Sequence, residues 1–259
     1  MPDTTTVTTT YVYAVGEDPP PDVPDDLTGV AGGSVRLVRE AGLWAAVGGV
    51  PEDDFAEDAI ATRLEDLSWL AATARAHHHV VDEMGRRAVV APLALATVYR
   101  GDGRVRQTLA ERAADFVELL GRFRGRAEWG VKVWAAERAP EKPPARAASG
   151  TEYLRRRRSA LDRTSRDESA DHAGAEELHR AAAGVAVAAR RHRLHAPALT
   201  GRPERMVLNG AYLVEDADRD RWRAALAEAS GDDRLSVEIT GPWVPYSFVS
   251  PDPPAGEVT

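Results

Sequence analysis

Three consecutive histidines, His77, His78 and His79, are the residues of this 259-residue chain whose types and spacing come nearest to a reactive set. On a helix, His78 stands four residues before Asp82 and His79 four before Glu83, so each imidazole shares a face with a carboxylate and the pairs could hold a divalent cation. A metal-dependent enzyme built on this cluster is one reading. The order is not H-E-x-x-H, however, and no distant third ligand declares itself. A histidine-rich helix surface, with His77 or His78 at the edge of an apolar stripe, accounts for the same residues.

The arginine run at 155–158 is a second candidate, for phosphate or nucleic acid. On a helix its side chains point around most of the circumference and make no single track, and the net charge of −8 opposes binding to nucleic acid or to an anionic membrane. Gly29, Gly32 and Gly33 do not form a dinucleotide fingerprint, which needs the G-x-G-x-x-G spacing between a strand and a helix. There is no G-x-S-x-G, no phosphate loop and no cysteine, so thiolate metal sites, disulfides and cysteine nucleophiles are excluded. No nucleophile, base and orienter set can be assembled, and no catalytic residue, metal ligand or cofactor is assigned.

What remains is aromatic display. Trp243, Tyr246 and Phe248 lie among Pro242 and Pro245, where a stiff backbone loses little entropy on docking. Such a segment closes its own core or docks on a partner. Lys132 and Trp134, on the second face of a predicted strand, are open to the same two readings. These five residues are the candidate partner-binding set.

The elements that must position them can be read in order. Residues 1–10 form a threonine-rich leader expected to be disordered, and 11–15 a short strand. The proline- and aspartate-rich segment at 19–26 is loop, with room for a helical turn near Leu27. Residues 35–40 and 43–47 are two strands joined across Ala41-Gly42 as a hairpin. Pro51-Glu52-Asp53-Asp54 opens a helix, and Ile60, Leu64, Leu67, Ala71, Ala74 and Val81 set its apolar stripe. A continuous apolar run at 88–99 reads as a buried strand, with an irregularity or strand end at Pro92. Gly101-Asp102-Gly103 opens a second amphipathic helix through Phe123, followed by alternation at 127–134. The order β, ββ, α, β, α, β suits an α+β sandwich with helices on one face of a mainly antiparallel sheet.

Residues 136–150 carry three prolines and no large apolar side chain, and mark the boundary between a domain at 11–135 and another at 151–250. In the second, a helix carries Tyr153, Leu154 and Leu161 on one side. After a polar stretch at 162–174, another helical pattern runs through Leu178, Ala182, Val185, Ala189 and His192. The two are expected to form a coiled-coil-like pair or to pack on the last sheet. A strand at 205–214, a helix at 217–230 and a strand at 235–240 complete it, before a disordered tail at 251–259.

Several of these stretches are similar to the gas vesicle protein F/L family (GvpF/GvpL). They are Leu67-Ser-Trp-Leu70, Ala74-Arg-Ala-His77 followed by Val80-Val81, the Pro92-Leu93 and Thr97-Val98-Tyr99 pieces, Glu128-Trp-Gly-Val-Lys-Val133, Asn209-Gly-Ala-Tyr-Leu-Val214 and Gly241-Pro-Trp-Val-Pro-Tyr-Ser-Phe248. Each motif is weak alone, but their order is specific. Where many members carry Pro-Leu-Arg-Phe-Gly-Thr-Val-Phe, this chain has Ala94, Leu95, Ala96 and Tyr99, and Val244 replaces a usual proline. The resemblance implies a modified ferredoxin-like N-terminal domain. It also implies a non-enzymatic role in which the chain binds the major gas vesicle shell protein (GvpA-like) and other accessory proteins, and supports nucleation and assembly of the shell. No nucleic acid, membrane or cofactor is expected, and the location implied is the gas vesicle and the cytoplasm.

Overall fold

The computed structural model describes residues 9–63, 65–136, 150–196, 201–231 and 234–250, and these divide into two compact units. The first comprises the chain up to Arg126 together with the stretch from Trp243 onward, and the second runs from Ala127 to Pro242. Helices and antiparallel pairings make up both, so the class is α+β, and the pairings are consistent with the ferredoxin-like arrangement that the resemblance implies.

In the first unit, β1 (Thr9–Glu17), β2 (Val35–Glu40), β3 (Leu43–Val50), β4 (Val90–Pro92) and β5 (Val98–Tyr99) form one sheet in the order β2-β3-β1-β4, with β5 also on β1. The β2–β3 hairpin is as expected: Glu40 pairs with Leu43, and Ala41 and Gly42 turn the chain at φ of 52° and 74°, the left-handed geometry of a two-residue hairpin loop. The buried run at 88–99 does end at Pro92. Residues 93–97 then bridge to β5, with Ala96 at a φ of 62°.

Thr9 and Thr10, expected to lie in a disordered leader, are instead buried in β1, because β3 and β5 supply their ladder partners. β1 is also covered on both faces, correcting the one-faced arrangement. The Tyr11 hydroxyl meets His77 of α3 (Leu67–Gly85), while the neighbouring Thr10 hydroxyl, on the opposite face, donates at 3.0 Å to Asp102 of α4 (Gly101–Glu111). Arg36 clamps the same carboxylate from β2 with bonds of 2.7 and 2.8 Å.

The two predicted helices of this unit are each broken. The first is divided into α1 (Glu52–Phe55), α2 (Glu57–Arg63) and α3. Asp66 caps α3, its side chain accepting from the backbone N–H groups of Ser68 at 2.9 Å and Trp69 at 3.2 Å. The buried stripe of α3 is Thr73, His77, Val80, Val81 and Met84, whereas Leu67, placed on that stripe by spacing, is exposed. The second helix breaks at Arg112 into α4 and α5 (Ala113–Phe123).

The strand at 127–134 is present as β6 (Arg126–Ala135), but it joins the second sheet rather than closing the first domain. That sheet has the order β7-β8-β6-β9, with β7 (Ala188–Arg191), β8 (Arg205–Glu215) and β9 (Leu235–Trp243). The change of unit therefore falls at Arg126 rather than within 136–150, because β6 finds its ladder partners in the second sheet. One helix, α6 (Gly150–Ala183), takes the place of the expected pair. Ala189 sits in β7 and His192 just after it, because β8 supplies a ladder for this segment. The core gathers Ala175, Leu178 and Ala182 of α6, Trp129 and Val131 of β6, Tyr212 of β8, and Trp222 and Leu226 of α7 (Arg219–Ala229). Trp222 Nε1 donates to the Ala182 carbonyl at 3.2 Å. Among the described residues no helix is long and apolar enough to cross a membrane. The expected linker at 137–149 and tail at 251–259 lie outside the described residues.

Candidate partner-binding site

α3 presents its histidines in three different settings. His77 is buried, with Nδ1 3.0 Å from the Tyr11 hydroxyl and its ring 5.7 Å from those of both Tyr11 and Tyr13. The Tyr11 oxygen accepts the Ala96 N–H at 2.9 Å, which leaves its own proton free to donate to Nδ1 of a neutral His77 imidazole. Burial pushes the His77 pKa down to about 4, helped by the charge of His78 and opposed by the Leu93 carbonyl. Burial likewise raises Tyr11, and raises Tyr13 to about 12.

His78 lies on the outer side of this cluster, with its ring 5.6 Å from Trp243 and 5.8 Å from Tyr246. His79 is exposed. The carboxylates that spacing offered as co-ligands are taken by arginines: Asp82 pairs with Arg86 at 2.5 Å, and Glu83 with Arg86 and with Arg87 at 2.6 Å. The hydrogen bond from Arg87 leads in holding the Glu83 carboxyl below its usual range. Among the described residues no three His, Asp or Glu side chains gather as a metal site would need.

The returning segment is placed by its small contacts as much as by its aromatics. Val244 sits over Gly85 so closely that a Cβ there would come within 2.4 Å of it, and Tyr246 packs on the first core. Phe248 is completely buried. Trp243 is 40% exposed, the open end of an otherwise seated strap. Of the five candidates, Phe248 and Trp134 are spent on their own units, which corrects their reading as displayed rings. Trp134 is buried in the second unit beneath the Arg202 guanidinium, 4.8 Å from the ring centre. Lys132 is half-buried on β6, and Tyr246 is half-buried on α3. A shallow groove beside α3, lined by Val30, Phe55, Trp69, Ala72, Thr73 and Ala76, was not foreseen. The aromatic pair Phe55 and Trp69, 5.4 Å apart, was its one sequence signal.

This geometry is that of an α+β protein with apolar and aromatic groups at the surface beside α3. A family model described as "Gas vesicle synthesis protein GvpL/GvpF" matches residues 9–250. The chain is 43% identical over 246 residues to gas vesicle protein L of Streptomyces sp. (strain CB03234), covering 92% of this chain and 91% of that protein. A shorter match, 47% identical over 47 residues, links it to gas vesicle protein F2 of Halobacterium salinarum, covering 18% of this chain and 22% of that one. The crystal structure of GvpF from Anabaena sp. PCC7120 superposes with a TM-score of 0.61 at 18% identity, over 95% of this chain and 97% of that one. GvpF from Microcystis aeruginosa gives 0.61 at 15% identity, over 95% and 100%. The chain belongs to the GvpL/GvpF family of gas vesicle proteins.

Proposed function

We propose that this gas vesicle protein is a non-catalytic assembly factor that binds the major shell subunit and supports nucleation and growth of the shell. The reading rests on family membership, and the observation that carries it to a surface is the seating of the strap. Val244 and Tyr246 fix the segment to α3, so that Trp243 is presented on a stiff backbone with part of its ring free. A preordered indole loses little entropy on docking and brings a large contact area. Tyr246 borders this site, and Lys132 is the remaining candidate on the second unit. Shell subunits bury apolar surface only once assembled, and a carrier with net charge −8 keeps such a partner in solution, in the cytoplasm, until it is delivered. Other accessory proteins of the vesicle are the further partners.

The test is a pull-down of the shell subunit by the full chain. The unaltered protein retains it, and Trp243→Ala retains several-fold less while its melting temperature is unchanged, since that side chain is partly in water. Failure of the unaltered chain to hold the subunit would overturn the reading.

A further inference from the structure

The two ends of α6 differ. Toward its C-terminus Asp171, Ala175, Leu178 and Ala182 are buried, whereas among the described side chains of residues 151–170 none is. Yet the seven-residue repeat runs through both. Leu154, Leu161, Ala175 and Ala182 fall on one line, which Glu168 interrupts, and Arg157, Thr164, Asp171 and Leu178 on the next, so the line that enters the second core turns apolar again beyond Glu168, in solvent. Leu154 is 65% exposed, Leu161 63% and the adjacent Tyr153 51%. Between residues 150 and 166 there are six arginines against two carboxylates, in a chain whose net charge is −8. Arg155, Arg157 and Arg158 are exposed, and among the described residues no carboxylate pairs with them.

We propose that this exposed half of α6 is a docking seam for an acidic amphipathic helix of another polypeptide. The seam is narrow, two leucines with an arginine between them, which is the footprint of a helix–helix contact; a helix lying on a lipid surface needs a broader apolar face. Arg157 occupies a core position of the repeat and Arg158 flanks it, so the partner carries Glu or Asp facing both. A parallel second copy of this chain would set arginines against arginines and is disfavoured by charge. The seam lies within the second unit, and its occupant need not be the shell subunit bound through Trp243.

The test uses the full chain and a fluorescein-labelled peptide of four heptads with Leu at the core positions and Glu at the flanking ones. Fluorescence anisotropy shows saturable binding that weakens at least about tenfold in Leu154→Ser/Leu161→Ser and in Arg157→Glu/Arg158→Glu. A Lys-for-Glu peptide binds the unaltered chain poorly and binds the charge-reversed variant better. All four side chains are exposed, so unchanged circular dichroism melts establish that the variants are folded. The proposal is overturned by equal binding of the acidic peptide to the unaltered chain and variants, by its failure to bind, or by no gain of the Lys peptide on charge reversal. It is also overturned by retention of phosphatidylglycerol vesicles or duplex DNA in preference to the peptide, or by a dimer of the chain alone that the serine variant dissolves. Loss of peptide binding with shell-subunit retention intact separates this seam from the Trp243 surface.

Discussion

At His77 burial favours the neutral imidazole and prevails over the hydrogen bond to the Leu93 carbonyl, which favours the charged one. A proton on Nδ1 would face the Tyr11 oxygen, which already accepts from Ala96 and would have to turn its own proton elsewhere. The folded pKa of about 4 lies below the ordinary 6.5, so between these values the unfolded chain binds more protons. The contribution is present above pH 6.5 and is lost as the pH falls through 6.5 toward 4, reaching roughly 3 kcal/mol. Urea midpoints measured from pH 7 to pH 4 fall over this window in the unaltered protein, and His77→Gln, which cannot charge, flattens the slope. In the second unit Trp222 stacks 5.7 Å from Trp129 and 5.9 Å from Tyr212 while its N–H is satisfied by Ala182. Trp222→Ala is expected to cost about 3–5 kcal/mol, read as a lower denaturant midpoint. Such roles are not written in residue type alone. Trp134 and Trp243 look alike in the sequence, and only packing against Arg202 separates the buried ring from the half-open one.

Among the elements, those fixed by local chemistry were the legible ones. The Ala41-Gly42 hairpin follows from a two-residue gap between apolar strands, and the strand end at Pro92 from a missing N–H. The helix breaks were not legible, because apolar spacing runs on through Ile60, Leu64 and Leu67, and again through Leu109, Ala113 and Phe116. Periodicity reports a face and says little about where the backbone restarts. Spacing also failed beyond Ala183, where small residues fit either period and β8 decides for a strand. Two measurements follow at this scale. Ala41 holds a φ of 52° that suits Asn better, so Ala41→Asn raises stability by up to about 1 kcal/mol in thermal denaturation. Along α6, Leu178→Ala is expected to cost about 2–5 kcal/mol while Leu161→Ala leaves the midpoint within error, because one is buried and the other is in water.

Across the whole molecule, the chain leaves the first unit at Arg126 and re-enters it at Trp243. No local pattern announces this return, since Trp243 continues β9 without a break and the contacts that seat the strap come from α3, more than 150 residues earlier. The family resemblance, by contrast, was readable along nearly the full length, because it rests on ordered motifs and not on the period of any one helix. Removing residues 243–259 strips Val244, Tyr246 and Phe248 from the first core. Hydrogen exchange on that truncated chain should show faster exchange in β1 and α3, with the amides of α7 and β8 unaffected.

Synthesis proceeds from the N-terminus, so the ribosome releases β1 and α3 long before their last partner exists. Until Trp243 and Tyr246 emerge, the nascent first unit keeps an unfilled aromatic seat around His78, and a chain cut before Trp243 would keep that seat open for good. The segment from Trp243 to Phe248 thus closes a unit whose strands were made first.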